Sequence, residues 1–281
     1  MKKLNKPTYQ AEDTFLKCIS IVRNPDLKDR LTACKDLIIE AENEFNSKIT
    51  TGKVHTINKE EFVNGNVTAN ELEKVYTFRM AKKDKPGRFI YDKIISASSH
   101  GICPLCSHRM VATLDHYLPK TEYPRLVTTP INLIPSCSDC NKSKSTSSPT
   151  KPEEETLHPY YDNIESDEWL IATVNQTTPP TISYDVKPAV NWPVLLGERV
   201  KYHFDSLILN KLYSTQAAVQ LTGIFFRIES IYNLSGAEGV RKYLEEEAIS
   251  RSHADKNSWQ TAMYVALSKD DWFCDGGFRM N

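Results

Sequence analysis

No run of apolar residues in this 281-residue chain approaches the roughly 18 needed to span a membrane. The N-terminus, MKKLNKPTYQAEDTF, carries lysines with no apolar stretch behind them, so it does not read as a secretory signal. Excess charge of either sign is also missing. Lys+Arg 35 against Asp+Glu 36 gives a net charge of −1, which argues against a protein that coats nucleic acid as histones do. There is no internal repeat, which excludes a solenoid. These absences set the expectation of a cytoplasmic protein, free of membrane partners, in a compartment where thiols stay reduced. The length suffices for one large domain or two smaller ones.

A near-zero total still allows a basic groove on a neutral body. Arg79, Lys82, Lys83, Lys85, Arg88 and Lys93 cluster ahead of Cys103, and Lys142 and Lys144 follow Cys140. Acidic residues gather elsewhere, at 153–155 and 245–247. The KKDKPGR stretch reads either as a track for a phosphate backbone or as a solvated turn between helices.

Helical periodicity dominates both ends. Phe15, Cys18, Ile19 and Val22 fall on one helical face, and Leu31, Cys34, Leu37, Ile38, Ala41 and Phe45 repeat the pattern, with Asn24-Pro25 as the break between them. Residues 71–80 and 88–97 read as helices separated by a turn at Pro86-Gly87. Beyond 198, Leu221, Ile224, Phe225, Ile228 and Ile231 form one apolar stripe. Val240, Tyr243, Leu244 and Ala248 form a second, and Trp259, Met263, Ala266 and Leu267 a third. Residues 50–70 read as loop or short strands, and 156–198 as irregular with a hairpin or two. The expected fold is α+β and mostly helical, with a helical region at 1–98, a cysteine-bracketed module at 99–150 and a mostly helical region at 151–281. The Ser/Thr run at 145–150 closes the module.

Four of the seven cysteines form two CxxC pairs, Cys103/Cys106 and Cys137/Cys140. Four thiolates make a closed tetrahedral set for structural zinc, and a small module with little core gains folding energy from such a metal. The alternative is two buried or redox-active pairs, but neither CxxC lies in a thioredoxin-like βαβ pattern. Cys18 and Cys34 sit on apolar stripes and read as small buried hydrophobes.

Between the pairs runs TLDHYLPK, and NLIPSCSDCNKSK contains the second pair. Phosphodiester hydrolysis needs a base for water and positive charge on the phosphate. A neutral imidazole serves the first and a divalent cation the second. Asp115 and Asn141 offer hard oxygen ligands suited to Mg²⁺ or Mn²⁺. VATLDHY reads as a strand, on which neighbouring side chains diverge, so Asp115 and His116 share a site only if the strand ends there; Pro119 is consistent with such an end. Singly these residues are unremarkable: an Asn after CxxC is often a helix cap.

The stretch from Cys103 to Lys144, CPLC…LDHYLPK…NLIPSCSDCNKSK, resembles the HNH endonuclease family, the ββα-metal or His-Me finger nucleases, in its four-cysteine zinc form. The resemblance implies a central zinc-stapled ββα-metal module with His116 as general base and Asp115 as ligand of the catalytic metal. It implies Asn132 as the central asparagine that holds the loop and the imidazole, Asn141 as second metal ligand and Lys144 near a phosphate. Asn141 stands where many members carry His. DHYLPKTEYP, LHPYYD and NSWQTAMYVALSKDDWFCDGGF are similar to standalone HNH proteins of prokaryotic antiviral defence loci, some encoded beside an ATPase, which implies a regulatory protein partner of that kind.

The expected function is therefore a Mg²⁺- or Mn²⁺-dependent endonuclease, with structural Zn²⁺, that nicks double-stranded DNA and leaves 5′-phosphate and 3′-hydroxyl ends. A ribonuclease, for example one cleaving tRNA, and a non-catalytic zinc-stapled nucleic-acid-binding module are the alternatives. Lys142, Lys120 and Arg125 join Lys144 as candidate nucleic-acid contacts, against plain surface charges. His158 reads as a turn residue packed under Tyr160 and Tyr161. Trp259, Trp272, Phe273 and Phe278 read as core before they read as a partner patch.

Overall fold

The computed structural model describes residues 1–144 and 148–279; part of the Ser/Thr run at 145–150 lies outside them. The fold is α+β, mostly helical, with three small antiparallel two-stranded sheets among the described residues. The chain forms two compact units, 1–163 and 164–281. The two boundaries expected at 98 and 150 are thus replaced by one.

In the first unit, α1 (Ala11–Ile19), α2 (Pro25–Thr32) and α3 (Lys35–Thr50) follow the apolar spacing. Asn24 caps α2 through its side chain, accepting from Leu27 N at 2.9 Å. The short strands β1 (Phe62–Val63) and β2 (Val67–Thr68) lead into α4 (Ala69–Val75), which opens with a reciprocal Thr68–Glu71 capping box. α4 continues as a π-helical turn, Tyr76–Met80, and α5 (Arg88–Ile95) follows the Pro86-Gly87 turn. Gly87 is required there because a Cβ would lie 2.5 Å from Cys18 Sγ and 2.9 Å from Arg79 O.

Then come β3 (Thr113–His116), β4 (Leu133–Ser136) and α6 (Ser138–Lys144). The NLIP segment is the second strand of this hairpin. The register pairs Leu114 with Pro135 and His116 with Leu133. Pro135 has no N–H to give to the ladder, so Leu114 faces outward with its backbone groups, as an antiparallel alternation allows. Two tyrosines from the N-terminal helices meet that edge. Tyr76 Oη donates to Leu114 O and Leu114 N donates to Tyr91 Oη, both at 3.3 Å.

The N-terminal helices and the hairpin share one core. Leu114, Leu133 and the loop residue Val127 lie in one core with Phe15, Cys18, Leu31, Ile38, Leu72 and Ile94. The hairpin has no separate core to make it a domain. Residues 151–163 also close onto it: Tyr160 Oη donates to Leu133 O at 2.8 Å and Tyr117 Oη to Thr156 O at 2.6 Å. Cys18 and Cys34 are buried in this core as expected, and burial pushes the Cys18 thiol up to about 12.

The second unit holds the hairpin β5 (Leu170–Asn175) and β6 (Thr181–Val186), then α7 (Val194–Ser206), α8 (Leu209–Ala254) and α9 (Trp259–Lys269). α8 packs along α9 and against β6. It is broken at Gly236, whose φ of 62° an L side chain rarely adopts. Trp259, Phe273 and Phe278 are buried in this unit, which is the core reading. No helix among the described residues is long and apolar enough to cross a membrane.

Candidate active site

The cysteines set the frame. Cys103 N donates to Arg109 O at 2.8 Å and Val111 N to Gly101 O at 2.8 Å, which closes a tight hairpin around the first CxxC, with Ser107 left-handed at φ 51°. The second CxxC begins α6. All four thiols are buried, and their sulfurs lie within 4.8 Å of one another. Cys106 Sγ and Cys137 Sγ are 4.0 Å apart, twice a disulfide length and close to the roughly 3.8 Å edge of a tetrahedron with 2.3 Å Zn–S bonds. Backbone N–H groups turn toward sulfur: Arg109 N to Cys106 Sγ at 3.5 Å and Cys140 N to Cys137 Sγ at 3.3 Å. Hydrogen bonding from the Cys103 thiol pulls the Cys106 thiol down to about 7, toward the thiolate that a metal binds. The Arg109–Asp139 ion pair at 2.8 Å joins the two halves again. This set can hold a structural zinc.

β3 ends at His116, and Asp115 and His116 are both buried there. The His116 ring nitrogen Nε2 lies 2.8 Å from Val127 O. A carbonyl only accepts, so Nε2 carries the proton and Nδ1 keeps its lone pair. Burial pushes the imidazole down to about 3, beyond what the Val127 carbonyl restores, and the Lys120 and Lys144 charges add to the effect. His116 is therefore neutral near pH 7. The Tyr76 ring stands nearly perpendicular to it, centroids 4.4 Å apart.

Asp115 Oδ2 is buried without a hydrogen bond, and the Lys144 ammonium lies 3.3 Å away. Burial raises the Asp115 carboxyl despite that ammonium. Lys144 also donates to His116 O, so α6 is tied to the end of β3 through one side chain. The Asp115 carboxylate is thus ion-paired with Lys144, and its oxygens are of the hard type a divalent ion takes. Asn141 lies on α6 three residues before Lys144, on a neighbouring face. Among the described residues its amide makes no hydrogen bond.

Asn132 holds the loop by hydrogen bonds, the part of its expected role that concerns the loop. It is fully buried, and its side chain is spent on backbone: Oδ1 accepts from Leu118 N at 2.8 Å, and Nδ2 donates to Leu118 O at 3.1 Å and Leu126 O at 3.2 Å. It holds the 118–132 loop, and through Leu126 it steadies the neighbouring Val127 carbonyl that orients the imidazole. Among the described residues no hydrogen bond joins its side chain to His116.

Three of the four candidate basic contacts are paired with carboxylates. Lys120 is engaged by Glu73, Arg125 Nε lies 2.8 Å from Glu60 Oε2, and Lys144 is held by Asp115. Each cation found a carboxylate far away in sequence. Lys142 is exposed. His158 lies in the core, its Nε2 donating to Ile131 O at 3.0 Å among Phe45, Tyr117, Tyr160 and Tyr161. Tyr76 and the Val127 carbonyl were not legible as site components. The Leu72, Val75, Tyr76, Met80 spacing announces burial but not against what.

No family model and no solved structure matches the chain. It is similar to Protein ea31 of Escherichia phage lambda, 26% identical over 301 residues that cover 98% of this chain and 100% of that protein.

Proposed function

We propose that the chain is a metal-dependent HNH endonuclease whose hairpin–helix segment, Thr113–Lys144, is a ββα-metal module stapled by zinc on Cys103, Cys106, Cys137 and Cys140. The observation that carries this reading is the state of His116. A neutral imidazole, tethered through Nε2 to Val127 O and with a lone pair left on Nδ1, directly follows Asp115, whose buried carboxylate is paired with Lys144. A buried imidazole that stays neutral near pH 7, with its proton fixed on Nε2 and a lone pair left on Nδ1, is in the form a general base needs.

In this reading Nδ1 of His116 takes the proton of the attacking water. Asp115 and Asn141 are the residues that would hold Mg²⁺ or Mn²⁺, which supplies positive charge to the scissile phosphate and the leaving 3′-oxygen. Lys144 keeps Asp115 and the end of β3 in place, and the cysteine cluster fixes α6 against the hairpin. One site cuts one strand, so a double-strand break needs two copies or two events. DNA is the proposed substrate, and a regulatory partner in an antiviral setting is part of the proposal.

The test is a side-by-side digest of plasmid DNA and tRNA by the zinc-loaded chain with Mg²⁺, with Mn²⁺ and with EDTA, for wild type and His116→Ala. Metal-dependent DNA nicking that vanishes in the variant supports the reading. Cleavage of tRNA alone transfers the same chemistry to RNA, and tight nucleic-acid binding without cleavage of either leaves a binding module.

A further inference from the structure

This inference rests on the nuclease reading and carries the site beyond the hairpin–helix segment. A base whose proton acceptor must point at a water needs its ring held in one orientation. The Val127 carbonyl provides a single hydrogen bond at 2.8 Å, and one such bond contributes only about 1 kcal/mol net. That alone does not keep an imidazole from flipping.

The second restraint comes from Tyr76, on the π-helical turn that follows α4. Its ring meets the imidazole with centroids 4.4 Å apart and planes at 73°, an edge-to-face contact at the short end of the favourable range. Its hydroxyl donates to Leu114 O at 3.3 Å, two residues before His116. One side chain therefore touches both the strand that delivers the histidine and the ring itself. Tyr91 provides an internal comparison. It caps the same residue through Leu114 N at 3.3 Å, belongs to the same core and is equally buried, at 6% against 7% exposure. Among the described residues it makes no ring contact with His116.

We propose that Tyr76 is a positioning residue for His116: its ring closes one side of the imidazole and keeps Nδ1 free and aimed, while its hydroxyl holds the end of β3 beneath it. A flipped ring would put Cδ2 where Nδ1 stood and carry Nε2 away from Val127 O, losing both the base and the bond that fixes its tautomer. Tyr91 does only the second task.

The experiment uses the full, zinc-loaded chain and reads the His116 ring directly by long-range ¹H–¹⁵N correlation, without substrate. Wild type shows one tautomer, protonated at Nε2 and bare at Nδ1. Tyr76→Phe keeps the ring and keeps that spectrum. Tyr76→Leu gives mixed or exchange-broadened tautomers, and its nicking kcat falls at least about tenfold with KM within about twofold. Tyr91→Leu removes a similar volume from the same core, lowers stability comparably and leaves the His116 spectrum as in wild type. The proposal is overturned if Tyr76→Leu retains the single tautomer. It is equally overturned if Tyr91→Leu disturbs the ring to the same degree, because Tyr76 would then be one more core residue. Should Tyr76→Leu not fold, Tyr76→Met replaces it with a closer volume and the same two outcomes. A chain that cleaves nothing sinks the nuclease reading, and the ring spectra still decide this one.

Discussion

Replacing Asn132 by Ala removes three hydrogen bonds, but the three losses are unequal. Leu126 O keeps a second donor, Thr129 N at 3.2 Å, so it stays satisfied. Among the described residues Leu118 N and Leu118 O have only Asn132, and Leu118 is fully buried. Two backbone groups are therefore stranded, at about 1–3 kcal/mol each, and the expected loss is about 4 kcal/mol. Asn132→Asp does no better, since a carboxylate would face two carbonyl oxygens where an amide donated. Asn141→Ala is the contrasting case. Among the described residues its amide has no hydrogen bond to lose, and a change within about 0.5 kcal/mol is expected. The choice of assay matters because all four tryptophans, Trp169, Trp192, Trp259 and Trp272, lie beyond residue 163. Tryptophan fluorescence reads the second unit alone. Native-state hydrogen exchange at the Leu118 and Tyr117 amides of the zinc-loaded chain reads the first. A loss below about 1 kcal/mol in Asn132→Ala, or equal losses in the two asparagine variants, would refute the reasoning that one asparagine is a buttress and the other is available for a ligand.

Three further outcomes are expected. Elemental analysis of the purified chain should give one zinc per chain, and Cys106→Ser or Cys137→Ser should lose it together with exchange protection of β3 and β4; retained protection in a metal-free variant would contradict the staple. Below pH about 6.5 the unfolded chain protonates His116, while the folded chain resists until about 3, so acid favours unfolding in that window by up to about 1.4 kcal/mol per pH unit. His116→Gln should flatten that part of the curve measured by exchange, and an unchanged slope would count against a buried neutral imidazole. For DNA binding, Lys142→Ala should reduce the salt dependence by about one counterion, whereas Lys120→Ala and Arg125→Ala, already paired with Glu73 and Glu60, should not; equal slopes across the three variants would undo that distinction.

What could be read in the sequence was local. The two CxxC spacings announce a four-sulfur cluster, and the structure gathers the sulfurs within 4.8 Å. The i, i+3, i+4 stripe of Phe15, Cys18, Ile19 and Val22 announces a buried face, and all four lie in one core. Asn24 announces the cap it provides. What stayed hidden was long-range. Glu73 and Glu60 claim Lys120 and Arg125 from 47 and 65 residues away. Nothing near Tyr76 says that it will stand against an imidazole. That Leu114 and Leu133 of the hairpin share a core with the preceding helices was hidden likewise, because no periodicity says against which element a strand's leucines pack. The break in α8 at Gly236 falls between two stripes that each read as continuous.

The central claim is that His116 is the base of a metal-dependent phosphodiester cleavage. Its most direct test is the first-order rate of supercoiled-plasmid nicking in Mg²⁺, for wild type and His116→Ala matched in zinc content and helical signal. The account predicts a fall of about 10²–10⁴-fold, with EDTA abolishing the wild-type rate. Equal rates in the two proteins, or cleavage by wild type that persists without divalent metal, would contradict it.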